Sequence, residues 1–347
     1  MKRVVGFLIF SILILGCSKK DKPIPVTAAS FAFDSTDIQT SPVSNPNQNF
    51  FIRYNFEKGK DYNYRLTSIS DDNQTIKADT TILQHVTQTV TYLMNLSLSN
   101  VDKDSVMEIA CDITNIKLDA NANGKQITYQ SGLTKDSAER SQFAEYEALI
   151  QNPFSVRITK YGEILEVFRA DKIVTKYLQL KSAPDSVTSE EKDALRKSII
   201  EGALKPLLVQ IFRQVPQNQV AKDSSWSYSQ PPSQFLIYQL QNTNDYKILS
   251  LDKYNNDKVA IINAGLKSVL TGNDAITNRG VNYKFKKPET SATGKIFFNL
   301  NKGCIQKSKT NTLINIFYTM EMKGPKGDEK GSKREAIKSA NIVELVN

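Results

Sequence analysis

Few residues in this chain are of types that do chemistry. The one histidine, His85, falls in a run of threonines with no nucleophile beside it, a setting for a solvated strand residue rather than a general base. Asp119-x-Asn121-x-Asn123-Gly124 opens like a calcium loop. Its twelfth position is Gln130 instead of a bidentate glutamate, and its flanks alternate as strands do, so it reads as a tight turn. Trp226, Tyr228 and Tyr238 are the candidates for ligand contact. Such rings stack on sugars or line apolar pockets, and the competing reading is core packing. Of the cysteines, Cys111 and Cys304 sit in strand patterns. In an oxidising compartment they would join the two halves of the chain as a disulfide, or stay as two buried, unbonded thiols. With one histidine, no metal site of ordinary spacing is available. No phosphate-binding glycine loop, zinc motif or Gly-x-Ser-x-Gly elbow occurs. No catalytic residue, metal ligand or cofactor is assigned, and an enzyme is the least supported class of function.

The third thiol has a different setting. Lys2 and Arg3 precede a run without charges from Val4 to Leu15, and Gly16 follows. Residues 1–16 are therefore expected to be an export signal, too short for a bilayer core that needs about twenty residues. The ending Ile14-Leu15-Gly16-Cys17 resembles the lipobox of bacterial lipoproteins. That resemblance implies that Cys17 is acylated and becomes the first mature residue. The chain would then sit in the cell envelope, held to a membrane by its lipid. The expected place is the outer membrane, facing the periplasm. Residues 17–49 carry Lys19, Lys20, Lys22 and four prolines among polar residues. They read as an extended tether, with Phe31 and Phe33 as the places where it could dock. The formal charge of +9 is spread along the chain, which does not point to nucleic acid.

The elements that must position any site come next. Period-two alternation runs through Tyr62, Tyr64 and Leu66, then through Val86, Val90, Met94, Leu96 and Leu98, and predicts antiparallel strands with one greasy face. After Ile109, Cys111 and Ile113 the phase shifts to Ile116 and Leu118, the mark of a bulge. Residues 50–168 thus form an N-terminal β-rich half. Residues 169–216 are a helical segment, with a capping box at Thr188-x-x-Glu191 and an apolar stripe at Leu195, Ile199, Ala203 and Leu207. Pro206 should kink or divide that helix. Residues 217–347 return to strands. The expected fold is α+β and mainly antiparallel β: two curved sheets or half-barrels of similar pattern, with the central helices packed against them.

Tyr54-Asn55-Phe56-Glu57-Lys58-Gly59-Lys60-Asp61-Tyr62-Asn63-Tyr64 and Pro216-x-x-x-Val220-x-x-Asp223-Ser224-Ser225-Trp226, with the lipobox, resemble an uncharacterised family of lipoproteins typical of Bacteroidota. The resemblance implies a fold and no activity. A looser likeness is to the half-barrel lipoprotein carriers of cell envelopes. Two functional readings stand. One is a membrane-anchored envelope lipoprotein that binds an apolar or amphiphilic ligand. The other is a structural or accessory lipoprotein that contacts envelope proteins and takes no small molecule.

Overall fold

Side chains that alternate along a strand divide its surroundings into two faces, and that division builds this molecule. A computed structural model describes residues 31–133, 136–183, 186–324 and 327–346. The expected export signal, residues 1–16, and Cys17 lie outside the described residues. The N-terminal half supplies β1 (Ser41–Pro42), β2 (Asp61–Lys77), β3 (Thr81–Val101), β4 (Met107–Ala122), β5 (Lys125–Gln130), β6 (Phe154–Ile158) and β7 (Ile164–Phe168). Five helices lie in and around the middle: α1 (Ser137–Gln142), α2 (Ala144–Glu147), α3 (Asp171–Leu180), α4 (Ser189–Ile199) and α5 (Lys205–Ile211). The C-terminal half adds β8 (Ser225–Ser229), β9 (Ser233–Phe235), β10 (Tyr238–Tyr254), β11 (Asp257–Thr271) and β12 (Ala275–Asn278). It ends with β13 (Val281–Asn299), β14 (Cys304–Gly324) and β15 (Gly327–Val346).

The mainly antiparallel fold with a central helical segment is as expected, but the strands make one sheet and not two. Its order is β1-β10-β11-β13-β14-β15-β2-β3-β4-β6-β7, with β5, β8, β9 and β12 as side branches. The reason is the last strand. β15 pairs with β2 from Ser332↔Lys77 to Val346↔Asn63 and so sews the two halves together. The expected bulge is present, where the β3–β4 register slips between Leu93 and Met94.

The core face carries Tyr64, Leu66, Met94, Leu96, Ile109, Cys111, Phe298 and Ile305, all 2% exposed or less. The helices share that cluster through Phe143, Ile173, Leu204, Leu208 and Ile211. The greasy stripe of β3 is thus consumed by packing, and Val90, Met94 and Leu96 present no open surface. Thr188 caps α4, and Glu191 returns the bond, a complete capping box. No residue of α4 is buried, whereas Leu207, Leu208 and Ile211 of α5 are. Between them Ile200–Leu204 form a π-turn, placed just ahead of Pro206, whose missing N–H interrupts the ordinary ladder.

One end of the sheet is closed by the segment before β2. Tyr54 N donates to Lys160 O and Asn55 N to Gly303 O, at 2.9 and 3.0 Å. Both partners belong to hairpin tips that come too close for any side chain. A Cβ on Gly162 would stand 2.3 Å from Arg213 O, and one on Gly303 would stand 2.6 Å from Asn55 N; both have positive φ. The Tyr54 hydroxyl donates to Ile211 O at 3.0 Å and accepts from Arg213 N at 2.7 Å.

Of the expected tether, residues 31–49 are described, and from Asp34 to Pro42 they are laid across the outer face. Asp34 N donates to Glu344 Oε1 at 3.3 Å, and Lys307 Nζ donates to Asp34 Oδ2 at 2.9 Å. Lys309 reaches Ser35 O at 3.3 Å. Asp37 pairs with Lys295, Thr40 with Asp252 at 2.6 Å, and Ser41 and Pro42 add to β10. This strap touches β15, β14 and β13 and then, past β11, reaches β10.

Candidate functional site

Directly beside the strap the outer face holds a groove of about 470 Å³, mostly apolar in lining. Two rows of cross-strand neighbours make its floor. The first is Ile69 (β2), Ala340 (β15), Asn311 (β14) and Thr293 (β13). The second is Asp71, Lys338, Leu313 and Ser291 on the same four strands. The next row toward the strap is Thr67, Ile342, Lys309 and Lys295. Rows of one face repeat about every 6.8 Å along a strand, so the strap forms one wall.

The second row carries charge at its β2–β15 end. Asp71 stands opposite Lys338 across the ladder, and His85 Nε2 lies 3.1 Å from Asp71 Oδ1. Asn73 also donates to Asp71, at 2.6 Å. His85 is exposed on a strand, as expected, and it works in a pair rather than alone. An apolar floor with an acid and a base at its margin suits a molecule with a chain and a small polar head.

The sequence-derived candidates fall elsewhere and apart. Trp226 stacks on Tyr246 with centroids 5.2 Å apart, and its Nε1 donates to Gln214 O at 3.1 Å. It fastens the chain leaving α5 to the sheet edge. Tyr228 is half-buried two residues on, opposite Asn244. Tyr238 is fully buried and donates to Asp274 Oδ1 at 2.9 Å; burial first, and that carboxylate second, push its phenol up to about 12. It lies eight residues along β10 from Tyr246, roughly 27 Å at strand rise, so the three rings form no common site. Cys111 and Cys304 are both buried and free. Burial raises both thiols, Cys304 to about 11. The Asp119–Gly124 segment is the end of β4 and the Asn123–Gly124 turn into β5: Asn121 Oδ1 accepts from Gly124 N at 2.8 Å, and Asn123 Oδ1 accepts from His85 N at 2.7 Å. Those oxygens are spent on backbone. Among the described residues no cluster of three metal-binding side chains forms.

Comparison with known proteins adds a family. The model of DUF6263, a family of unknown function, matches residues 104–305, more than half of the chain. The chain belongs to that family. The match in this DUF6263 protein runs from the start of β4 into β14, so it includes all five helices and leaves out β2, β3 and β15. No curated protein matches. Among solved structures, one described by lipid–protein interactions in lipovitellin aligns at 11% identity and TM-score 0.42, over 84% of this chain and 26% of that one. The DUF6263 protein thus spans about a quarter of the lipovitellin chain. An outer-membrane channel from Pseudomonas putida F1 aligns at 7% identity and TM-score 0.20, over 84% and 97%. OccK5 of Pseudomonas aeruginosa aligns at 7% and 0.22, over 83% and 99%. Scores this low carry no inference about the DUF6263 protein.

Sequence reasoning missed the groove because its floor is drawn from four strands that lie far apart in the chain. A signal did exist. Ile69 and Leu313 fall on the polar phase of their strands, where an aliphatic residue has no core to join.

Proposed function

We propose that this protein is a lipid-anchored cell-envelope protein that binds a single-chain amphiphile in the outer-face groove. One observation carries the reading: an apolar floor of Ile69, Leu313 and Ala340 on the face turned away from the core, with Asp71 and Lys338 opposed at its margin. The chain would lie on the aliphatic floor. A zwitterionic head would meet Lys338 through its anionic part and Asp71 through its cationic part. The volume is in the range of small-molecule sites. Anchorage through Cys17, and with it an outer-membrane place facing the periplasm, is supported by the lipobox resemblance.

Titration calorimetry with lysophosphatidylethanolamine, below its micellar concentration, tests the binding. Saturable binding is expected, weakened at least tenfold by Leu313→Arg, which fills the floor with charge. No binding, or equal binding by the variant, rejects the groove. Anchorage is tested separately by detergent-phase partitioning, which Cys17→Ser should abolish; unchanged partitioning rejects it.

The accessory reading is favoured by a different observation. β7 ends the sheet, and a groove of about 350 Å³ separates it from α4 and the π-turn, lined by Ile164, Val167, Ile200 and Arg196. An open strand edge beside a groove accepts an added strand. Photo-crosslinking from position 165 in cells should capture an envelope protein if that edge is used, and the absence of any adduct counts against it.

A further inference from the structure

The end of the sheet remote from α5 is a row of hairpin tips. The β2–β3 tip lies at Lys77–Thr81, the β12–β13 tip at Asn278–Val281, and the β14–β15 tip between Gly324 and Gly327. Register sets them side by side: Val281 pairs with Met322, Met322 with Glu329, and Ser332 with Lys77. Four of the large apolar residues left in solvent lie on this rim. Ile82 is 50% exposed, Leu83 71%, Ile276 46% and Met322 39%. Ile82 and Leu83 are consecutive, so they point to opposite faces of one hairpin.

Basic residues are interleaved with them. Lys77, Arg279, Lys284, Lys287 and Lys323 are exposed and make no ion pair among the described residues. Several of the acids there are already engaged: Glu321 with Lys330 and Glu289 with Lys286. Asp79, Asp328 and Glu329 remain.

We propose that this rim docks edge-on into an anionic bilayer surface. A protein groove covers one face of a hairpin. Apolar residues exposed on both faces of a hairpin tip are buried together by a medium that closes around them, which lipid does. Lysines and arginine beside them then lie at the level of anionic headgroups, where each adds attraction. The inference does not rest on the ligand groove or on Cys17. It gives the fold its own membrane contact, distinct from a lipid tether.

A position-specific probe tests it in the full chain. Cys17→Ser removes the thiol that lies outside the described residues, and Cys111 and Cys304 are fully buried, so Leu83→Cys takes an environment-sensitive fluorophore alone. Leu165→Cys, on edge strand β7, is the control. With vesicles of phosphatidylglycerol mixed into phosphatidylcholine, the emission at position 83 should shift to the blue. The shift should fall away with added salt and be absent at position 165. Lys284→Glu with Lys323→Glu should weaken the response several-fold. Emission of the lone Trp226 reports that each variant is folded. No shift at position 83, an equal shift on pure phosphatidylcholine, or an equal shift at both positions overturns the proposal. Insertion through the N-terminal segment alone leaves both probes unchanged and also overturns it.

Discussion

At the scale of the residue, Tyr54 ties the segment before β2 to the end of α5. Its ring meets Phe212 and Phe298 edge-on at 5.6 and 5.1 Å, and its hydroxyl both donates and accepts in the segment at the end of α5. Burial holds the phenol far above its ordinary range, so it remains a neutral donor throughout the physiological range. Tyr54→Phe should cost about 1–3 kcal/mol, because Arg213 N and Ile211 O lose a buried partner; urea denaturation measures it. The two free thiols make the opposite case. Cys111 and Cys304 each sit in strand positions that need a small apolar group. Cys111→Ala with Cys304→Ala should fold cooperatively, and reductant should leave the wild-type melting midpoint where it is. In the sequence Tyr54 is only one member of an alternating run. Its bond to residue 211 reaches across 157 positions and has no local signature.

At the scale of the element, strands were legible and helix burial was only partly so. The alternation in β2, β3 and β4 named the core-face residues, and even the slipped phase after Ile113 was real. The helical stripe of Leu195, Ile199, Ala203 and Leu207 shows an amphipathic face, but not how deep each turn sinks. The π-turn before Pro206 rotates α5 relative to α4. Leu204 and Leu208 are therefore fully buried while Leu195, Ile199 and Ala203 are half-covered. Leu208→Ala should thus cost about 2–5 kcal/mol, and Ile199→Ala less than about half of that. Thermal or chemical denaturation of the two variants in parallel decides it, and equal losses would mean that α4 is packed as tightly as α5.

At the scale of the molecule, the strap shows how a segment with little apolar surface can still be ordered. Its composition reads as tether, and nothing local marks Asp34 as a docking point, since the partners lie on β14 and β15. Asp34 is held well below the usual carboxylate range, first by the Thr36 backbone N–H and then by Lys307. A carboxylate with a depressed folded value contributes its stability above the unfolded value of 3.8, and loses it as pH falls through the lower folded value. Protection of strap amides in hydrogen exchange should therefore be flat from about pH 8 to pH 5, and should fall only in stronger acid. Asp34→Asn should weaken that protection across the whole range. The groove beside the strap was legible only as two aliphatics out of phase, Ile69 and Leu313, because cross-strand rows exist only once register is set.

The seam between β2 and β15 also fixes when this molecule can become itself. Residues 63–77 wait for residues 332–346, more than 250 positions downstream, so the first long strand has one unpaired edge until the last has emerged. Loop closure over such a span is slow, and an open edge meanwhile invites other chains. For a chain threaded across a membrane from its N-terminus, this topology makes completion of transport a condition of folding. The N-terminal half would need shielding until the C-terminal strand arrives to close it.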